Sequence, residues 1–220
     1  MRHNLFTYAL LFALLSSVAV AFETERDSWP DSPQADIDAV SNGELNFKSL
    51  SPTTPVHHLH NQIKITAESL STGWVHLHQC HEHLDSVSAV QITFNSDRVK
   101  NLTVKHSKNI GRAWVEGSNV ELESVGKSAS ICIDADTRTL TEANSGQFIL
   151  RNGPFMRRFL DGYYPMRVSF TVTVPETKLE LLAISPSPQP GLSLLQTGNT
   201  VYIDALFEGK LNTEIEFTRL

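Results

Sequence analysis

Polar and apolar residues take turns along most of this chain with a period of two. Between positions 58 and 68 the odd residues include Leu59, Ile63, Ile65 and Ala67, while the even ones are His58, His60, Gln62, Lys64, Thr66 and Glu68. A strand that buries one face gives this pattern, because successive side chains point to opposite sides. Ser69-Leu70-Ser71-Thr72-Gly73 reads as a turn. Alternation then resumes, with Val75 and Leu77 on one face and Trp74, His76, His78, Cys80 and Glu82 on the other. An antiparallel hairpin with Glu68 opposite Trp74 sets Thr66 against His76, Lys64 against His78, Gln62 against Cys80 and His60 against Glu82. A slip of one residue would turn the histidines into the core, so the faces are fixed by the pattern.

Further short alternating segments follow, each bounded by turn residues. Segment 87–94 places Val90, Ile92 and Phe94 on one face, and Leu102 and Val104 come next. Segments 113–116 and 120–125 flank Gly117-Ser118-Asn119, and in 129–135 Ile131 and Ile133 oppose Cys132. Residues 147–151 and 179–184 are brief segments, whereas 166–174 alternates strictly, with Val168, Phe170, Val172 and Val174 inward. Segments 199–207 and 211–217 form a hairpin around Glu208-Gly209-Lys210. Many short strands with almost no helical periodicity predict an all-β fold, an antiparallel β-sandwich of jelly-roll or Ig-like type. The residues after Pro190 are too few for a domain of their own and are expected to complete the sandwich.

One stretch departs from the alternation. In 152–165, Pro154 suits a first helical position, Gly162 a stop, and Phe155/Phe159 and Met156/Leu160 stand four apart. This predicts one short helical cap over the sandwich with Phe155 and Phe159 pointing inward. Arg157, Arg158, Tyr163 and Tyr164 in the same stretch form the candidate partner-binding set, since arginine beside aromatic rings suits an interface with a protein or surface ligand.

The N-terminus adds a location. A weakly positive start, an apolar run from Leu5 to Leu15 and the small-residue site Ala19-Val20-Ala21 predict a secretory signal peptide over 1–21. Residues 22–55 are acidic, carry four prolines and scatter their apolar residues, which predicts a largely disordered leader with at most one edge strand near 45–50. Residues 56–220 then make a single domain, in the periplasm or the extracellular space, and no later apolar run is long enough to span a membrane. The formal net charge of −6 excludes a global basic field for nucleic acid. The two cysteines, Cys80 and Cys132, both sit opposite the apolar residues of their strands and are expected to pair as a disulfide.

Histidine chemistry changes the picture further. Imidazoles two residues apart on one strand face stand about 6.5–7 Å apart at Cα and can converge on one ion. His60, His76 and His78 are the candidate metal ligands for zinc or copper, with His58, His81 and His83 extending the set. No nucleophile elbow, HExxH pair or phosphate loop occurs. The expectation is therefore an exported, non-enzymatic binding or assembly module. The alternatives are a metal-binding protein using the histidine-rich hairpin and a hydrolase without a recognisable motif.

Overall fold

The alternating segments become fifteen strands in the computed structural model, which describes residues 43–49, 55–174 and 179–220. In chain order they are β1 (Asn46–Phe47), β2 (His57–Lys64), β3 (Trp74–Leu84), β4 (Val87–Thr93), β5 (Val99–Glu116), β6 (Asn119–Arg138), β7 (Leu140–Asn144), β8 (Gln147–Phe155), β9 (Arg157–Phe159), β10 (Gly162–Tyr164), β11 (Met166–Thr173), β12 (Leu179–Ser185), β13 (Leu192–Thr197), β14 (Thr200–Glu208) and β15 (Leu211–Arg219). The fold is all-β. Among the described residues the only α-helix is α1 (Ala67–Thr72), and no helix is long and apolar enough to cross a membrane. The signal peptide expected over 1–21 and most of the leader expected over 22–55 fall outside the described residues.

A nine-stranded sheet runs β1-β14-β11-β2-β3-β6-β4, with β13 also on β14 and β5 also on β6. A second sheet runs β12-β15-β8-β7. The terminal strands β13, β14 and β15 belong to these two sheets, as the shortness of the C-terminal stretch requires. Among the described residues every pair of neighbouring strands is antiparallel except β11 and β2, which run parallel. The purely antiparallel sheet expected from the pattern is thus corrected to a mixed one. A parallel pair needs a long connection, and here the chain from β3 to β10 supplies it.

The inward faces of both sheets meet in one core. Leu59 and Ile63 of β2, Phe170 and Val172 of β11 and Ile203 and Phe207 of β14 share it with Phe148 and Leu150 of β8 and Ile215 and Phe217 of β15. A second apolar cluster, including Val120, Leu122, Ile131 and Ile133 of β6, is covered by Val90 and Ile92 of β4 and by Leu102 and Val104 of β5. The two segments expected at 120–125 and 129–135 are one strand, β6, and those at 102–104 and 113–116 are one strand, β5. Residues with positive φ that carry side chains interrupt these long strands, Asn101 and Asn109 in β5 and Ser124 and Ser128 in β6, and His83 does the same in β3. Most of them sit at or beside the register shifts, as β-bulges do.

Further expectations are corrected here. The turn expected at 69–73 begins earlier, as α1. Thr66 caps it: its hydroxyl accepts from the Ser69 N–H and its own N–H donates to Ser69 Oγ, while Gly73, at φ 78°, closes the helix by donating to the Ser69 carbonyl. β2 therefore stops at Lys64, and the hairpin register moves by two residues: His76 faces Lys64, His78 faces Gln62, Cys80 faces His60 and Glu82 faces His58. An even shift leaves each residue on its expected face. The helical cap at 152–165 is instead the end of β8 followed by the β9–β10 hairpin. Phe155 packs on the core and meets Phe170 edge-on, but Phe159 is 37% exposed and Leu160 lies at the open tip.

Candidate functional site

The inward positions of β2 and β3 are not all apolar. His57 and Asn61 lie on the face of Leu59 and Ile63, and Gln79 and His81 on that of Val75 and Leu77. Asn61, Gln79 and His81 are buried at 2%, 6% and 6% exposure, in positions that alternation assigns to core. Buried polar groups must find partners, and these find each other. Gln79 Nε2 donates to Asn61 Oδ1 at 2.8 Å, so its Oε1 is left to accept from His81 Nε2 at 3.3 Å. His81 Nδ1 must then accept, and it takes the Nε2–H of His57 at 3.0 Å. The rings of His57 and His81 also stack, with centroids 5.2 Å apart. The result is a directed row with the acceptor Nδ1 of His57 at one end and the donor Nδ2 of Asn61 at the other.

This row forms one wall of a cavity of about 710 Å³ between the two sheets. The facing wall includes Asn152 of β8 and Thr213 of β15, which are paired across the second sheet. Among the described residues, Asn152 Nδ2 and Thr213 Oγ1 are buried polar atoms without a hydrogen-bond partner. Leu59, Leu77, Phe94 and Met166 supply the apolar lining. At the rim Arg157 makes a two-pronged pair with Asp85, at 2.8 and 2.5 Å, and donates to the Pro165 carbonyl at 3.0 Å. The hairpin β9–β10 that carries Arg157 is held there by these bonds.

Both imidazoles of the row are kept neutral. Burial, with the Arg157 cation adding to it, pushes His57 down to about 4. Burial first and His57 second hold His81 well below its ordinary value. Burial is also the main cause of the lowered values of His58 and His60. A depressed histidine pKa means that the unfolded chain takes up the proton first. The stability is fully present above about pH 6.5 and is lost as pH falls from there toward the folded value near 4. His57 alone corresponds to a loss of about 3 kcal/mol over that window. The midpoint of urea unfolding is thus expected to drop steeply between pH 7 and pH 4.5, and less steeply in a His57→Gln/His81→Gln variant. An equal slope in the two proteins would show that these imidazoles do not resist protonation.

The other side of the same sheet is the histidine-rich face. His58, His60, His76, His78, Cys80 and Glu82 lie on it, but their side chains divide into separate groups. His58 Nε2 and His60 Nδ1 share the Ser169 hydroxyl, at 2.8 and 2.7 Å. His76 pairs with Asp136 at 3.4 Å. His78 Nδ1–H donates to Asp134 Oδ1 at 2.5 Å, and its Nε2 stands 3.3 Å from Cys80 Sγ. Burial tends to raise Asp134, but the bond and charge of His78, with Lys105, outweigh it and hold the carboxyl below its ordinary value. Cys80 and Cys132, directly paired across β3 and β6, form the expected disulfide.

The expected metal set is thus redistributed. Among the described residues, the ligand atoms that converge are those of His78, Cys80 and Cys132; His60 and His76 are not in that group. His81 points to the opposite face, buried in the cavity wall, and His83 is an exposed bulge residue. Within the partner-binding set, Arg157 is taken up by Asp85, Arg158 lies over the buried ring of Tyr163, and the Tyr164 hydroxyl donates to Asp161 at 2.6 Å. Sequence reasoning passed over His57, Asn61, Gln79, Asn152 and Thr213. The signal for the first three was a polar residue in an apolar phase of the alternation. Compared with models of known protein families, with curated proteins and with solved structures, the chain matches none.

Proposed function

We propose that this chain is an exported, non-enzymatic binding module that takes a small, uncharged, amphipathic molecule into the cavity between its sheets. The two sheets are read as the layers of a β-sandwich left open at the His57 end. The observation that carries this reading is the row His57–His81–Gln79–Asn61, four uncharged polar side chains on a strand face that otherwise builds core. A protein selected for stability alone would fill such positions with apolar side chains, since half-satisfied buried groups are costly. The cavity volume of about 710 Å³ lies in the range of small-ligand sites, which combine apolar walls with a few placed polar groups. The two imidazoles are neutral, so they offer hydrogen bonds without a net charge. Export is supported by the N-terminal apolar run and by the disulfide.

The uncharged dye N-phenyl-1-naphthylamine is a suitable probe, as its apolar body fits the walls and its amine can bond to the polar row. Saturable binding is expected at one dye per chain, with affinity lowered at least tenfold in Val90→Trp, which fills the cavity from β4. No saturable binding, or binding unchanged in Val90→Trp, would remove the reading.

A further inference from the structure

The outer face holds a second arrangement that the cavity does not explain. His78 is oriented by a carboxylate: Asp134 can only accept, so Nδ1 carries the proton, and in the neutral ring Nε2 presents a lone pair. That lone pair faces the cysteine pair, 3.3 Å from Cys80 Sγ. A metal-ligating histidine is held in this way, one ring nitrogen on a carboxylate and the other aimed at the ion. The ligand atoms of His78, Cys80 and Cys132 all lie within 4.8 Å of one another. Joined to each other, the sulfurs are poor ligands; separated into thiolates they bind zinc strongly.

We propose that reduction of the Cys80–Cys132 disulfide creates a metal site of two thiolates and His78 Nε2, selective for a soft or borderline cation such as zinc. A dithiol is the reductant. Its two S–H hydrogens pass to Cys80 Sγ and Cys132 Sγ as the bond between them breaks, and its own sulfurs join as a disulfide. The cation then displaces both cysteine protons to solvent and takes the lone pair of His78. The flanking strands offer further donors on each side, since His60 is paired with Cys80 and His106 with Cys132. Asp134 acts through His78 as a positioning residue, and Lys105, 3.5 Å away, sits on its other oxygen. The site is closed while the disulfide is intact, so metal would be taken up only where a thiol reductant reaches this half-buried face.

The test is anaerobic titration of the purified chain with zinc and, as a spectroscopic reporter, with cobalt(II), before and after reduction by a phosphine. One ion per reduced chain is expected, with the visible bands of tetrahedral cobalt and thiolate charge transfer, and binding at least a hundredfold weaker in the oxidised chain. Asp134→Ala should weaken binding by about 10–100-fold, and His78→Ala should weaken it further and shift the cobalt bands. Both variants keep the cysteines, so their folding can be verified in the oxidised state. Equal affinity in oxidised and reduced chains would overturn the proposal. So would equal affinity in reduced wild type and reduced His78→Ala, since ligation would then belong to the thiols of a loosened chain.

Discussion

Phe170→Ala is expected to lower stability by about 3–5 kcal/mol, as deletion of a core aromatic does. Phe170 is 1% exposed in β11, which has β14 on one side and β2 on the other. Its neighbours across the two ladders are Ile203 and Asn61, and Phe155 meets its ring at 5.5 Å. With pairing on both edges the backbone of β11 has little freedom to close the void, so the loss includes the cavity left behind as well as the lost transfer energy. Phe159→Ala, at an exposed hairpin position, is expected to change stability by no more than about 0.5 kcal/mol. Urea unfolding of the two variants checks both values. A larger loss in Phe159→Ala than in Phe170→Ala would mean that the hairpin, and not β11, is core.

Removing the disulfide has an effect of similar size. Cys80 and Cys132 are 52 residues apart in sequence, and tying off a loop of that length restricts the unfolded chain by about 4 kcal/mol on the chain-entropy estimate. The double variant Cys80→Ala/Cys132→Ala should therefore unfold at a markedly lower denaturant concentration, while strands β3 and β6 keep their ladder of backbone bonds in the folded state. Equilibrium unfolding with matched slopes measures the difference. A loss below about 1 kcal/mol would show that the two strands remain near each other in the unfolded chain, where the crosslink would then remove little freedom.

Strand identity was legible wherever an apolar phase persisted. The phase of β2, β3, β11, β14 and β15 follows directly from Leu59, Leu77, Val168, Ile203 and Ile215 and their neighbours. α1 was hidden because the alternation of Ile65 and Ala67 runs on into it, while its determinants, the reciprocal bonds of Thr66 and Ser69, are side-chain contacts. The β9–β10 hairpin was misread because a spacing of four, as in Phe155 and Phe159, is a multiple of two and also about one helical turn. The cysteine pairing followed from both residues taking the polar phase of their strands. Of the cavity row, one wall was visible as misplaced polar residues. The facing wall, Asn152 and Thr213, depends on the pairing of β8 with β15, strands about sixty residues apart in sequence, and no local pattern encodes it. The approach of Asp134 to His78 likewise depends on the register of β3 against β6.

The bulged strand β5 bears on how crowded molecules of this protein behave. Among the described residues β5 is bonded on one side only, to β6, and an eighteen-residue strand with an unpaired edge is an invitation to fibril growth. Between Lys100 and Ile110 its ladder is interrupted three times, and Lys100, Lys105 and Lys108 stand exposed along it. An approaching strand would lose register every few residues while meeting repeated positive charge. The same irregularities that curve β5 around the second apolar cluster thus also protect it against runaway self-assembly.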